Sequence, residues 1–440
     1  MKIKTVKKSY DEVMALPRPE HKNPTRPWFL LRSLIRVLAM KDLVETKFKY
    51  TIEGNGKLPD GPCFILMNHS SFIDLKIVSK ILYPKPYSIV CTTDGFVGKS
   101  WLMKRIGCIP TQKYVSDLNL IHDIKHALHK NKVSVLMYPE AGYSFDGCAT
   151  AIPEKMGKLL KMLKVPVVMI MANGAFARDP LYNGLQLRKV KITADVKCLL
   201  TPEEIEEKSV EELDSVLKEA FTFDNFKWQY DNKIEIREKF RADGLERILY
   251  KCSECGAEGK MEGKGTELYC RACGKQHHLD VLGRLKATEG ETRFPHIPDW
   301  YRWQRECVKN DILADKYRLE TDVKIGMMVD YKALYMVGEG KLTHDPERGF
   351  TLEGCDGKLK YEQKPLSSFG LCADYFWYEI GDMICIGNRD ALYYCFPKKE
   401  GIVTKTRFAA EEIYKLRAAE ALAARERHLA ERRKLKGEAL

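Results

Sequence analysis

The segment Asn68-His-Ser-Ser-Phe-Ile-Asp74 sets an imidazole and a carboxylate five residues apart. A carboxylate bonded to Nδ1–H fixes the tautomer and leaves Nε2 free to accept a proton. Such a pair is a general base near neutral pH, usually worth ~100- to 10,000-fold in rate. The bland reading of the same residues is helix capping by Ser70, Ser71 and Asp74. A second acid, Glu140, follows a proline in Tyr138-Pro-Glu-Ala-Gly-Tyr-Ser144. Further on, Cys252-x-x-Cys255 and Cys270-x-x-Cys273 are 14 residues apart, with Gly256 and Gly274 behind each pair. Four thiolates in two such knuckles can close a tetrahedral zinc site. Cysteine fills all four positions and leaves no open one, so the expected metal is structural. His277 and His278 lie just beyond and read as ordinary ribbon residues.

Other chemistries fit less well. Gly142-Tyr-Ser144-Phe-Asp-Gly147 is one residue too long for the G-x-S-x-G elbow of a hydrolase, so Ser144 is a poor nucleophile. Cys63 or Cys148 could carry an acyl group, but buried structural cysteines are commoner. The chain has no G-x-x-x-x-G-K-[ST] loop and no convincing G-x-G-x-x-G after a strand.

The elements around these residues predict an α/β fold. The apolar run 63–67 reads as a buried strand and 72–82 as a helix. Strands follow at 87–91, 133–138, 165–171 and 188–199, with helices at 117–130 and 155–163 between them. Thr201-Pro202 opens another helix, with threonine as cap. Strands alternating with helices imply a twisted, largely parallel sheet covered on both faces. Ligands collect at the carboxyl ends of such strands. His69 and Glu140 both follow strands directly.

Four blocks in order resemble the glycerolipid acyltransferases, the family that includes lysophosphatidate acyltransferase. Asn68-His-Ser-Ser-Phe-Ile-Asp74 is similar to its H-x-x-x-x-D block. Gly98 to Lys113 resembles the second block, which usually ends on arginine. Tyr138-Pro-Glu-Ala-Gly-Tyr-Ser144 resembles F-P-E-G-T-R-S, and Val165-Pro-Val-Val168 resembles V-P-V-V. The resemblance covers residues 27–220, about half the chain. It implies that His69 deprotonates an acceptor hydroxyl, which attacks the thioester of acyl-CoA or acyl-carrier protein, while Asp74 orients the histidine. It implies an acceptor site made by Glu140 and Lys113, with Gly142 and Ser144 in the same block. Tyr143 stands where the family has a phosphate-binding arginine. A tyrosine offers one hydroxyl where arginine offers a bidentate fork. Lysophosphatidate as acceptor is therefore in doubt. Lys113, Lys155 or Lys158 could compensate, or the acceptor could be another lysolipid.

The remaining sequence bounds the setting. Of a net charge of +12, residues 1–50 supply +7 and residues 407–440 supply +3. A basic arm suits an anionic surface. The segment 27–40 reads as a helix with Arg32 and Arg36 on one face and Trp28, Leu31, Leu34, Ile35 and Leu38 mostly opposite. That pattern fits a helix lying in a bilayer interface or one packed on the core. Its length is ~21 Å, too short to span, and no apolar run of membrane length occurs. The first 25 residues lack signal-peptide features, so the 14 cysteines are expected as free thiols or ligands in a reducing, cytoplasmic setting, with the protein peripheral at the inner membrane face.

The expected organisation is a basic arm and interface helix at 1–44, the α/β domain at 45–220 and a helical connector at 221–247. A zinc ribbon follows at 248–282, then an aromatic connector at 283–315, a β domain at 316–400 and a terminal helix at 404–440. The β domain reads as a small antiparallel sandwich or barrel. Its expected strands are at 322–330, 349–352, 376–380, 383–386 and 391–396. The ribbon carries Lys260, Lys264, Arg271 and Lys275 but no aromatic-interleaved stripe, which favours scaffolding over nucleic-acid binding. Two functions follow. One is a peripheral O-acyltransferase acting on a lysolipid at a phospholipid surface. The other is a retired enzyme serving as a zinc-ribbon scaffold for nucleic acid or protein. The intact His69, Asp74 and Glu140 set favours the first.

Overall fold

The computed structural model describes residues 2–54, 56–115 and 117–435, with side chains through residue 428. Residues 436–440 of the expected terminal helix lie outside the described residues.

The segments that carry His69 and Glu140 follow strands of a seven-stranded mixed sheet. Its strands are β1 (Lys49–Ile52), β2 (Phe64–Met67), β3 (Tyr87–Thr92), β4 (Cys108–Thr111), β5 (Ser134–Met137), β6 (Val167–Asn173) and β7 (Thr193–Leu200). They lie in the order β1-β7-β6-β2-β5-β3-β4. Neighbours run parallel except β6 and β7, which are antiparallel. Strand β2 is buried along its whole length. Phe64 and Leu66 point into one core with Ile124, Leu128, Leu160 and Leu213. Ile65 and Met67 point into another with Ala39, Leu43, Ile77 and Ile81. Covering on both faces is why this strand is a continuous apolar run rather than an alternating one.

Helix α1 (Phe29–Glu45) packs on α2 (Asp74–Leu82). The start of α2 falls two residues after the expected one. The N–H groups of Ser70 and Ser71 donate to the Asp74 carboxylate, and this turn occupies the residues before the helix. Of the two expectations for helix α1, the core-packed one does not describe its apolar face. Arg32 donates to the Pro84 carbonyl at 2.9 Å and the Arg36 guanidinium lies 4.2 Å over the Tyr83 ring. Phe29, Leu30, Leu34, Val37, Leu38, Met40 and Val44 are exposed instead. No described helix is long and apolar enough to cross a membrane.

The expected helical connector at 221–247 contains one short α-helix, Asn225–Asp231, and a single 3-10 turn at Leu245–Arg247. The ribbon is a four-stranded antiparallel sheet spanning residues 261–287. The aromatic connector is mostly helix, α3 (Ile297–Leu313), with Pro298 in its first turn and Trp300 and Tyr301 buried. The β domain is one curled sheet. Its seven strands span residues 319–397 and are antiparallel throughout, and Thr5–Lys7 of the basic arm adds parallel to Leu334–Asp345. Gly387 N–H donates to Gln363 Oε1 at 3.0 Å, linking distant strands of the curl. Two strands, Leu334–Asp345 and Leu359–Gln363, are additional to those expected. The expected strand at 376–380 lies earlier, at Cys372–Trp377. Phe376, Tyr378 and Glu379 have φ of 50°, 47° and 64°, which turns the chain where it was expected to extend.

Helix α4 (Val403–Leu435) is buried over its first turns through Val403, Phe408 and Ile413, whereas Leu422 is exposed. One apolar cluster joins Phe145, Phe176 and Tyr182 of the α/β domain to Cys252 and Leu268 of the ribbon. The same cluster takes in Trp300, Val323, Ile384 and Phe408.

Candidate active site

Strand β2 delivers Asn68 and His69 at its carboxyl end. Asn68 bridges to the neighbouring strand, donating to Ala172 O at 2.9 Å and accepting from Ala172 N–H at 2.8 Å. That bridge fixes where the chain leaves the sheet. The next turn brings Asp74 back beneath the imidazole, with Asp74 Oδ2 2.9 Å from His69 Nδ1. The same oxygen accepts from Ser70 N–H at 2.9 Å and Ser71 N–H at 3.1 Å. The turn and the imidazole therefore share one carboxylate oxygen. The backbone bonds hold it rigidly, and the rigid carboxylate orients the ring. Among the described residues no protein group hydrogen-bonds Nε2.

The imidazole is flanked by aromatic rings. Tyr138 stacks on it with centroids 4.0 Å apart, and Tyr143 lies 4.2 Å away. Phe72, about half exposed, stands 5.5 Å from Tyr143 at the rim. The side chain of His69 retains 22% exposure, enough for contact from that side.

Glu140 is wholly buried and faces the protein. Its Oε1 accepts His69 N–H at 3.2 Å, and its Oε2 accepts Thr150 N–H at 2.8 Å and Thr150 Oγ–H at 3.0 Å. Burial pushes its pKa from the ordinary 4.5 to about 7, against the opposing pull of those bonds and of Arg407. Ser144 is also buried. Its N–H donates to His69 O at 3.2 Å and its hydroxyl donates to Cys148 O at 2.6 Å. Glu140 and Ser144 thus bracket the backbone of His69 on both sides. Between them Ala141 adopts φ 56°, a left-handed conformation, while Gly142 does not and has open space around it.

Lys113 has its nearest charged neighbours on the β domain and in the turn after β3. It lines a small void with Thr92, Thr93, Asp94, Cys372 and Trp377, between the sheet and the β domain. Burial opposes its charge, but Cys372, Asp94 and Asp374 outweigh that and hold the ammonium firmly protonated. Asp374 carries no signal in the sequence, and neither do Arg178 and Asp179. Ser71 Oγ–H donates to Asp179, which pairs with Arg178 at 3.1 Å, and Arg178 pairs with Asp42 of α1 at 2.7 Å. Burial raises Asp179 to about 6 although Ser71 and Arg178 favour its charge. More than a hundred residues separate Ser71 from Asp179 in the chain, and no local pattern links them.

In the ribbon the four Sγ atoms of Cys252, Cys255, Cys270 and Cys273 lie within 4.8 Å of one another and could hold a metal ion. Cys252 and Cys273 are 3.7 Å apart, and Cys255 and Cys270 are 3.8 Å apart. A tetrahedron with 2.3 Å metal–sulfur bonds has edges of about 3.8 Å. His278 Nδ1 is instead 2.6 Å from Glu267, and His277 is buried edge-on to Trp300.

Residues 49–172, within the α/β domain, match the model of the family described as Acyltransferase. Among solved structures the chain is similar to the 1-acyl-sn-glycerophosphate (LPA) acyltransferase PlsC from Thermotoga maritima. The identity is 16% and the TM-score 0.36, over 43% of this chain and 76% of that one. No curated protein matches the chain.

Proposed function

We propose that the protein is an O-acyltransferase that moves a fatty acyl group from a thioester to a lysolipid hydroxyl. The donor is acyl-CoA or acyl-carrier protein, and the acceptor is a lysophospholipid or glycerol-phosphate lipid. The observation that carries this is the His69–Asp74 pair at the carboxyl end of β2, with Nε2 unengaged among the described residues. Nε2 takes the hydroxyl proton as the oxygen attacks the thioester carbonyl. The carbon–sulfur bond breaks, and the imidazolium returns the proton to the departing thiolate. Asp74 holds the ring and stabilises the imidazolium. Glu140 and Ser144 act by fixing the backbone of His69. Gly142 offers open space beside them for the acceptor.

The acceptor headgroup meets Tyr143 in place of an arginine, and Lys113 already faces Asp94 and Asp374. Both features support an acceptor whose recognition does not depend on a phosphomonoester at that point. The exposed face of α1 supports a peripheral seat on the cytoplasmic leaflet of a phospholipid membrane. Zinc is the proposed occupant of the four-cysteine site, where it would act structurally.

A non-catalytic scaffold is the second reading. The close packing of Tyr138 and Tyr143 on His69 is the observation that favours it. Purified protein incubated with acyl-CoA or acyl-carrier protein, vesicles and a panel of lysolipids separates the two by mass spectrometry. Transfer should occur with at least one acceptor and fall ~100-fold or more in His69→Ala and Asp74→Asn. Absence of transfer from either donor to every acceptor would sink the catalytic reading.

A further inference from the structure

The loop that brackets His69 carries no cation of its own: Tyr138-Pro-Glu-Ala-Gly-Tyr-Ser-Phe-Asp-Gly147 holds two acids, both buried. Glu140 is faced by the His69 N–H, by Thr150 and by Arg407, and the Tyr114 hydroxyl donates to its carbonyl at 3.4 Å. Asp146 accepts Cys148 N–H at 3.2 Å and faces Arg305 and Arg407. Neither acid has a direct ion pair among the described residues, so the cations that face them are Arg407 of α4 and Arg305 of α3.

Arg407 is held firmly. It is 4% exposed, its Nε donates to Glu411 at 3.0 Å, and its guanidinium lies 4.4 Å over the Phe145 ring. Arg305 Nη1 completes the cluster at 2.6 Å from Glu411 and 3.1 Å from Glu412. Phe145 is 2% exposed, has Tyr375 of the β domain 5.0 Å away, and directly follows Ser144. Ser144 N–H is the group that donates to His69 O. Contacts therefore run unbroken from α4 through Arg407 and Phe145 to the backbone of the histidine.

We infer that Arg407 is a positioning residue for His69, fixing from the C-terminal helix the 138–148 loop and supplying the positive charge that this loop lacks. This rests on His69 being the base of the proposed transfer. Two effects are combined. A buried cation over an aromatic face resists displacement more strongly than an exposed one. A positive charge near a buried carboxylate favours its ionised form, which accepts the bracketing bonds.

Arg407→Gln, Arg407→Lys and the control Arg417→Gln, further along α4, test it. Arg305 still pairs with Glu411 in each, so the helix keeps its anchor. In Arg407→Gln kcat should fall about ten- to hundredfold, with both KM values within about twofold. The acid limb of kcat should move to higher pH, because Glu140 loses a facing cation. Arg407→Lys should leave the limb in place and recover part of kcat, and Arg417→Gln should match the wild type. The Hε1 resonance of His69, assigned with His69→Gln, needs no turnover and should move in chemical shift in Arg407→Gln. The inference is overturned by a glutamine variant equal to wild type in kcat and resonance. It is also overturned if kcat falls only with the folded fraction while limb and resonance stay put. A wild type without transfer refutes the catalytic reading instead, and the resonance still decides whether Arg407 reaches His69.

Discussion

Two carboxylates at the candidate site do opposite things because of their surroundings. Asp74 accepts three N–H donors on one oxygen, whereas Glu140 is buried deeply enough to move from 4.5 to about 7. A raised acid binds a proton in the folded state that it lacks when unfolded. Its contribution to stability is fully present below about 4.5 and is lost as pH rises through about 7. Ionisation has the contrary effect on the bracket around His69, since the carboxylate accepts its bonds best when charged. Thermal melts at about pH 5, 6 and 7 should show this slope in wild type and a shallower one in Glu140→Gln, where Asp179, raised to about 6, still contributes. Parallel curves for the two proteins would remove Glu140 from the explanation. His69, Asp74 and the cysteine quartet were legible in the sequence because turn and knuckle spacing is local. Glu140 was legible as a position but not as an inward clamp, since its partners His69 and Thr150 come from two different turns. Asp179, Asp374 and Arg407 had no local signal at all, because each approaches the site from a distant segment.

At the scale of elements, helix α1 shows an amphipathic pattern that the sequence left open between a bilayer interface and the core, and whose apolar face lies outward. Its arginines are aliphatic stems with a planar head, and here the heads bond a carbonyl and cover a tyrosine ring rather than facing outward. The outward face is left with Leu30, Leu34, Val37, Leu38 and Val44. Trp28, packed edge-on to Trp101 with Arg105 against it, extends that face to a neighbouring helix. Vesicle co-sedimentation should therefore drop strongly in Leu34→Glu/Leu38→Glu. Charge reversal at Arg32 and Arg36 should chiefly lower the melting temperature. Vesicle binding that survives the leucine changes would mean this face has another purpose. The parallel strands were readable from their length and apolar runs. The terminal β domain was only partly readable. Its strand at 334–345 carries glycines and charges that mask the alternation, and three positive-φ residues at 376–379 imitate a strand in composition.

Over the whole molecule the segments share one core rather than standing as separate units. Phe145, Cys252, Leu268, Trp300, Ile384 and Phe408 belong to the same apolar cluster. Loss of metal from the four cysteines should therefore be felt at the active site, well outside the ribbon. Chelation should lower the melting temperature of the whole chain in a single transition and reduce acyl transfer with it, both restored by zinc. An early, separate transition that spares activity would show that the ribbon folds alone. The packing of Phe145 under Tyr375 and Arg407 also has a meaning in time. A ribosome emits His69 roughly 340 residues before Arg407, which at ~5–20 residues per second is an interval of about 17 to 70 s. Phe145 emerges 76 residues into that interval, and until Tyr375 and Arg407 follow it the nascent α/β domain lacks the partners that cover this ring, so dependence on chaperones should be greatest at that stage.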